Sequence, residues 1–187
     1  MAILPILIHP DPRLKKPCEP VSEVDETLRR LIDDMFETMY DAPGIGLAAP
    51  QIGVLSRLLV MDCAGREQDE KGEPADCPPD PIAMINPEIT WSSDETRVYN
   101  EGCLSIPEQF EDVTRPSRVR VRWLDPDGAS QERAFDGVHA TCVQHEIDHL
   151  NGKLFIDYLG PVKRSMITGK MKKLKRERAK ERADNAR

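Results

Sequence analysis

His145-Glu146-Ile147-Asp148-His149 carries the residue types of a metal site at the spacing such a site needs. On a helix, positions i and i+4 share one face, so both imidazoles can reach one ion. The glutamate between them stands where a general base could act on a water at the metal. Val138, Cys142, His145 and His149 fall on one helical stripe. Apolar neighbours on the ligand side imply a buried, concave site. The alternative is a solvent-facing polar helix with two incidental histidines, and those neighbours speak against it.

A catalytic metal takes a third protein ligand and keeps a position open. Two further histidines exist: His139, six residues before His145 and off the ligand face, and His9, in a proline-rich segment. Cys103, in Glu101-Gly102-Cys103-Leu104-Ser105, is the better candidate. It follows a strand pattern beside a glycine that permits close packing. A thiolate with two imidazoles suits Zn²⁺ or Fe²⁺. Taken alone, Cys103 reads as an inert buried thiol. Gln51 follows a loop of small residues, and its amide could donate to a developing oxyanion. Its alternative is an ordinary surface glutamine.

The elements that position these residues follow from periodicity. Residues 22–41 read as a helix capped by Ser22, with Val24, Leu28, Leu31, Ile32, Met35, Phe36 and Met39 on its apolar face. Residues 42–53 form a break with three glycines. Strand signals lie at 1–8, 57–63, 82–86, 88–91, 96–101, 117–123 and 131–135. A polar, proline-rich loop spans 64–81. Asp136 can cap a second helix that ends at Asn151-Gly152. Residues 154–158 read as a last strand, and the tail as a helix. Strands and helices without regular alternation give an α+β class: mixed or antiparallel strands around a central metal-binding helix, with an N-terminal and a C-terminal helix.

Composition narrows the function classes. The chain has 187 residues, 39% hydrophobic and 32% charged. That is too apolar for disorder and too short for several domains. No apolar run approaches the roughly 18 residues that cross a bilayer, so no membrane partner is expected. Five cysteines at irregular spacing, with no export signal, point to reduced thiols in a cytoplasm. Charge is uneven. Residues 163–187 hold 11 Lys/Arg and 3 Asp/Glu, a net +8; the other 162 residues hold 15 basic and 30 acidic, a net −15. The reading is one catalytic metallohydrolase domain over 1–162 and a basic helical tail over 163–187. The tail is either a solvated helix or a contact for a polyanion.

Three segments carry a resemblance: Gly44-Ile45-Gly46-Leu47-Ala48-Ala49-Pro50-Gln51, Glu101-Gly102-Cys103-Leu104-Ser105 and Gln144-His145-Glu146-Ile147-Asp148-His149. In order and spacing they resemble the signature motifs of bacterial-type peptide deformylases, and the resemblance covers roughly residues 1–160. It implies a metal held by Cys103, His145 and His149, with water as fourth ligand. The ion would be Fe²⁺ in the cell, with Zn²⁺, Ni²⁺ or Co²⁺ possible after purification. Glu146 would take a proton from the water and deliver it to the leaving amine. Gln51 and the Leu104 N–H would stabilise the oxyanion. Ile45, Gly46, Gly102, Val138 and Cys142 would line the substrate site, with the His145 ring beside them. The substrate would be the N-formyl group on the initiator methionine of nascent chains, and the products formate and a free amine. The tail would fit work at the ribosome, and no DNA partner is implied. Glu101 and Asp148 would orient ligands. Phe110 departs from the pattern, since many relatives have a basic residue there that holds the peptide backbone.

Two other classes compete. A protease cutting internal peptide bonds could share the helix motif, but commonly uses His or Glu as third ligand. A non-enzymatic metal protein would close its site with four protein ligands and need no general base. Glu146 discriminates against it.

Overall fold

Asp25 opens the first helix, α1 (Glu26–Asp41), its carboxylate accepting from the Leu28 N–H at 2.8 Å. The expected start at Ser22 is four residues early. The Asn86 side chain clamps Val21, accepting from its N–H and donating to its carbonyl, both at 2.8 Å. The chain turns helical only after clearing that clamp. These elements come from a computed structural model that describes residues 2–64 and 78–185, with side chains to residue 181. The expected loop over 64–81 therefore lies, for 65–77, outside the described residues.

The strands in chain order are β1 (Gly46–Ala48), β2 (Leu58–Met61), β3 (Ile82–Ser92), β4 (Thr96–Cys103), β5 (Ile106–Pro116), β6 (Val119–Leu124) and β7 (Ser130–Phe135). Five form one antiparallel sheet in the order β1-β2-β3-β6-β7, and β4 and β5 form a separate antiparallel hairpin. The two short strands expected at 82–86 and 88–91 are one long strand. Its irregular register beyond Ile85 coincides with Asn86, at φ +52, and Pro87. All four residues of β2 are buried, as befits a strand covered on both faces.

The second helix, α2 (Gly137–Leu150), has eleven of its fourteen residues buried, so it runs through the interior rather than lying on it. It packs on β1 and β2. Asp136 occupies the cap position, but its side chain makes no capping bond. The helix ends as expected, with Gly152 at φ +72, where a Cβ would stand 2.7 Å from the Lys15 carbonyl oxygen.

Among the described residues, two expected strands are absent. Residues 3–8 form no strand pairing; their N–H groups find scattered partners instead. Leu4 donates to Thr38 Oγ1 at 2.9 Å and Leu7 to the Gln51 carbonyl at 2.7 Å. Residues 155–158 form a 3₁₀ turn, because the Asp157 carboxylate accepts from the Leu154 N–H at 2.8 Å and tightens the chain. Short apolar runs such as Leu154-Phe155-Ile156 do not declare their secondary structure.

The third helix, α3 (Pro161–Asn185), docks through Ile167 and Met171, which are buried with Ile8, Leu14, Phe155 and Ile156. The class is α+β.

Met35 is fully buried between α1 and the sheet residues Leu47, Leu58 and Val60. Met35→Ala is expected to cost about 2–5 kcal/mol of stability in urea unfolding, whereas Glu23→Ala, on the exposed lead-in to α1, stays within about 0.5 kcal/mol.

Candidate metal centre

Helical spacing puts His145 and His149 on one face of α2, and the β4–β5 turn brings Cys103 to them. Cys103 pairs with Ile106 across a two-residue turn, so the sulfur stands at the tip of a tight hairpin. The ligand atoms of Cys103, His145 and His149 lie within 4.8 Å of one another, and Cys103 Sγ is 3.2 Å from His149 Nε2. His9 and His139 lie outside this group.

Glu101 orients the site. It is 3% exposed and lies 2.8 Å from His145 Nδ1, which leaves Nε2 free as a ligand. A register shift between Glu101 and Cys103 re-aims the strand end. Arg115 of β5 closes the other side of Glu101, with Nε at 2.5 Å and Nη2 at 3.0 Å from its two oxygens. Arg115 Nη1 donates to Asp148 Oδ2 at 2.7 Å, and the Tyr158 hydroxyl donates to the same oxygen at 2.8 Å. Sequence reasoning missed Arg115 and Tyr158. A signal existed for the first: Val113 and Arg115 share the inward face of β5, where an arginine needs a buried partner.

Burial pushes charge off these groups, and their neighbours restore it. Burial raises the Glu101 carboxyl, but the bonds from His145 and Arg115 outweigh it and hold its pKa below the ordinary value. Burial lowers His145, yet Cys103 and Glu101 outweigh that and raise it well above the ordinary value. His149 is held well below, first by burial and then by the charge of His145. A neutral His149 is the form of an imidazole that can bind a cation. A thiol and two imidazoles also match a borderline metal. The residues fit one ion.

Glu146 is 4% exposed, and its Oε2 is buried without a hydrogen-bond partner among the described residues. Burial, the largest influence, raises its pKa to about 7. Gly46 makes room for it: a Cβ there would collide with Glu146 Oε1 and stand 2.8 Å from Cys142 Sγ. Gln51 is 1% exposed. Its Oε1 accepts from the Ala48 N–H at 2.8 Å, which turns Nε2 toward Ser105 Oγ at 3.3 Å and Cys103 Sγ at 3.6 Å. A surface glutamine it is not.

These groups open on a cleft of about 650 Å³. Gln51, Cys103, Leu104, His145 and Glu146 line it, as do Ile45, Gly46, Gly102, Val138 and Cys142. The neighbouring Cys63, and then burial, hold the Cys142 thiol pKa well up, so Cys142 is a neutral wall. Phe110 also lines the cleft, and its ring covers Gly102: a Cβ there would meet it at 2.5 Å.

A cation site with a buried carboxylate beside it and an open cleft in front belongs to a metal-dependent hydrolase. Residues 3–165 match the family model of polypeptide deformylase. The chain belongs to the peptide deformylase family. A peptide deformylase of Rhizorhabdus wittichii is 54% identical over 178 residues, covering 95% of this chain and 98% of that one. A crystal structure of a peptide deformylase from Legionella pneumophila is 47% identical with a TM-score of 0.82, over 95% of this chain and 98% of that one. The peptide deformylase of Ehrlichia chaffeensis, in complex with actinonin, is 43% identical with a TM-score of 0.85, over 94% and 99%. Members of the family are metalloenzymes that remove the N-formyl group from nascent peptides.

Removing Arg115 would leave Glu101 and Asp148 without their shared cation. Arg115→Ala is expected to cost about 3–5 kcal/mol in urea unfolding. It should also weaken metal binding about 10–100-fold, measured by competition with a chromophoric chelator.

Proposed function

We propose that the cleft hydrolyses the N-formyl group of an initiator methionine, with Cys103, His145 and His149 holding one divalent cation. The observation that carries the reading is Glu146: a buried carboxylate, unpaired at Oε2 and beside three metal-ligating atoms. When bound, such a cation acidifies water and polarises a carbonyl. We take it to be Fe²⁺ in the cell, replaceable by Zn²⁺, Ni²⁺ or Co²⁺; a thiol with two nitrogens accepts all four.

Glu146 accepts the proton as water oxygen bonds to the formyl carbon. The same proton passes to the methionine nitrogen as the C–N bond breaks, leaving a free amine and formic acid, which gives up the water's second proton to become formate. A carboxyl with a pKa of about 7 suits both transfers, since an α-amino group titrates near 7.7–8.0. The Gln51 amide, turned toward Cys103 by its bond to Ala48, donates to the oxyanion, and the Leu104 N–H joins it from the hairpin turn. Ile45, Gly46, Gly102, Val138, Cys142 and the His145 ring enclose the methionine side chain.

The remaining parts of the reading concern where the enzyme works. We assign residues 1–162 to catalysis and the basic segment 163–187 to the ribosome, in a cytoplasm where formylated chains are made. The net +8 of that segment supports it. Among the described residues no helix is long and apolar enough to cross a membrane. Deleting the segment would uncover the surface that Ile167 and Met171 bury, so charge reversal is the cleaner test. Reversing exposed Lys172, Lys173 and Arg176 together should weaken ribosome cosedimentation and flatten its salt dependence. Unchanged cosedimentation would remove the ribosome from the reading.

The central test is formate release from an N-formyl-Met tripeptide by anaerobically purified, Fe²⁺- or Ni²⁺-loaded protein. Glu146→Ala should abolish release while metal stays bound. Gln51→Leu should lower kcat by about 10²–10³. No release by the loaded wild type would overturn the assignment.

A further inference from the structure

Arg178 is the one Lys or Arg among the described residues that line the cleft; Asp41, Glu101, Glu108 and Glu146 supply its negative charge. It comes from α3, far from the motifs in sequence. Ile167, Met171, Leu174 and Arg178 follow i, i+4, i+7, i+11 and form one helical stripe. Ile167 and Met171 are buried, and Leu174 packs beside them on the same core. The body-facing stripe thus ends in an arginine where the body gives way to the cleft.

Two contacts hold α3 alongside β5. Lys163 Nζ lies 2.6 Å from Glu111 Oε2, and Lys170 Nζ donates to Gln109 Oε1 at 2.9 Å. Arg178 lies eight residues beyond Lys170, about 12 Å further along the helix axis. Exposed apolar side chains, Ile3 and Phe110, belong to the same cleft. Arg178 forms no ion pair with another described residue, so its five donors remain for a ligand.

We propose that Arg178 is a substrate-positioning residue that binds a carboxylate carried by the formyl peptide downstream of its methionine. This rests on the deformylase reading of the cleft. A guanidinium fork matches a carboxylate in two parallel bonds. The other charged residues of the lining are acids, so Arg178 is the one position there that attracts an acidic residue and repels a basic one. The preference belongs to the peptide beyond methionine, because Ile45, Val138 and Cys142, which the deformylase reading gives to the methionine side chain, carry no charge that a carboxylate could pair with.

The test uses the full-length, metal-loaded enzyme and formyl-Met-oligoalanine amides carrying Glu, Gln or Lys at successive positions after methionine. At one position the wild-type KM should rise from Glu to Gln to Lys, about threefold per step at low salt. Arg178→Ala should flatten that order and Arg178→Glu should invert it, with the change carried by KM. Lys16→Glu makes the same charge change at an exposed site outside the cleft and should keep the wild-type order. High salt should compress the wild-type differences. The same order in Arg178→Glu as in wild type, or no charge preference in wild type, overturns the proposal. If formyl-Met-Ala is not turned over either, the deformylase reading itself fails, which separates the two outcomes.

Discussion

The Glu101 carboxylate is 3% exposed and is met by three nitrogens: Nε and Nη2 of Arg115 and Nδ1 of His145. Burying a carboxylate and a guanidinium costs several kcal/mol each, and only near-complete pairing offsets it. That requirement fixes the relative positions of β4, β5 and α2, since each contributes a member. Asp148 takes the remaining Arg115 nitrogen, and Tyr158 stacks near the guanidinium at 4.8 Å while bonding Asp148. Apolar residues of similar volume could hold these elements together equally well. They could not hold one imidazole nitrogen toward a carboxylate and turn the other toward the Cys103 sulfur.

The remainder of the site is assembled from short pieces under the same constraint. Gly46 sits on a three-residue strand, Gln51 in a 3₁₀ turn, and Leu104 in a two-residue hairpin turn. None of these is stable alone. The N-terminal segment laces them, with Leu7 N–H on the Gln51 carbonyl and His9 N–H on the Ser105 carbonyl. Both anchor points lie at or beside the groups assigned to the oxyanion. The segment forms no strand pairing because its N–H groups serve two separate turns rather than one neighbouring strand.

Legibility in the sequence tracked how local each signal was. The α2 helix and its pair of imidazoles were readable because one turn of helix contains them. Cys103 needed the motif order as well, since a thiol 42 residues before His145 carries no spacing signal of its own. Ser22 looked like the cap of α1 because a helix start is judged from neighbours, whereas the clamp that delays it comes from Asn86. Arg115 was passed over for the same reason: its partners are 14 and 33 residues away. The apolar run at 154–158 has the composition of a strand, but among the described residues it meets no partner strand and tightens on Asp157 instead. Arg178 had no motif at all, and only the docking of α3 brings it to the cleft.

Charge distribution ties the cleft to the tail. The first 162 residues carry a net −15, and four carboxylates line the cleft, yet the formyl end of a substrate is neutral and is not repelled by them. Hydrolysis changes this. It produces formate, an anion, and an amine that is largely protonated near neutral pH. Of the four carboxylates, Glu101 is already paired with Arg115 and His145, so Asp41, Glu108 and Glu146 are the ones left to act on the new charges. Arg178 of α3 stands at the cleft wall, while Lys163 and Lys170 of the same helix lie alongside β5. A cleft whose charged lining is acidic save for Arg178 thus meets a neutral formyl terminus without repulsion, while contacts further along the peptide are left to α3.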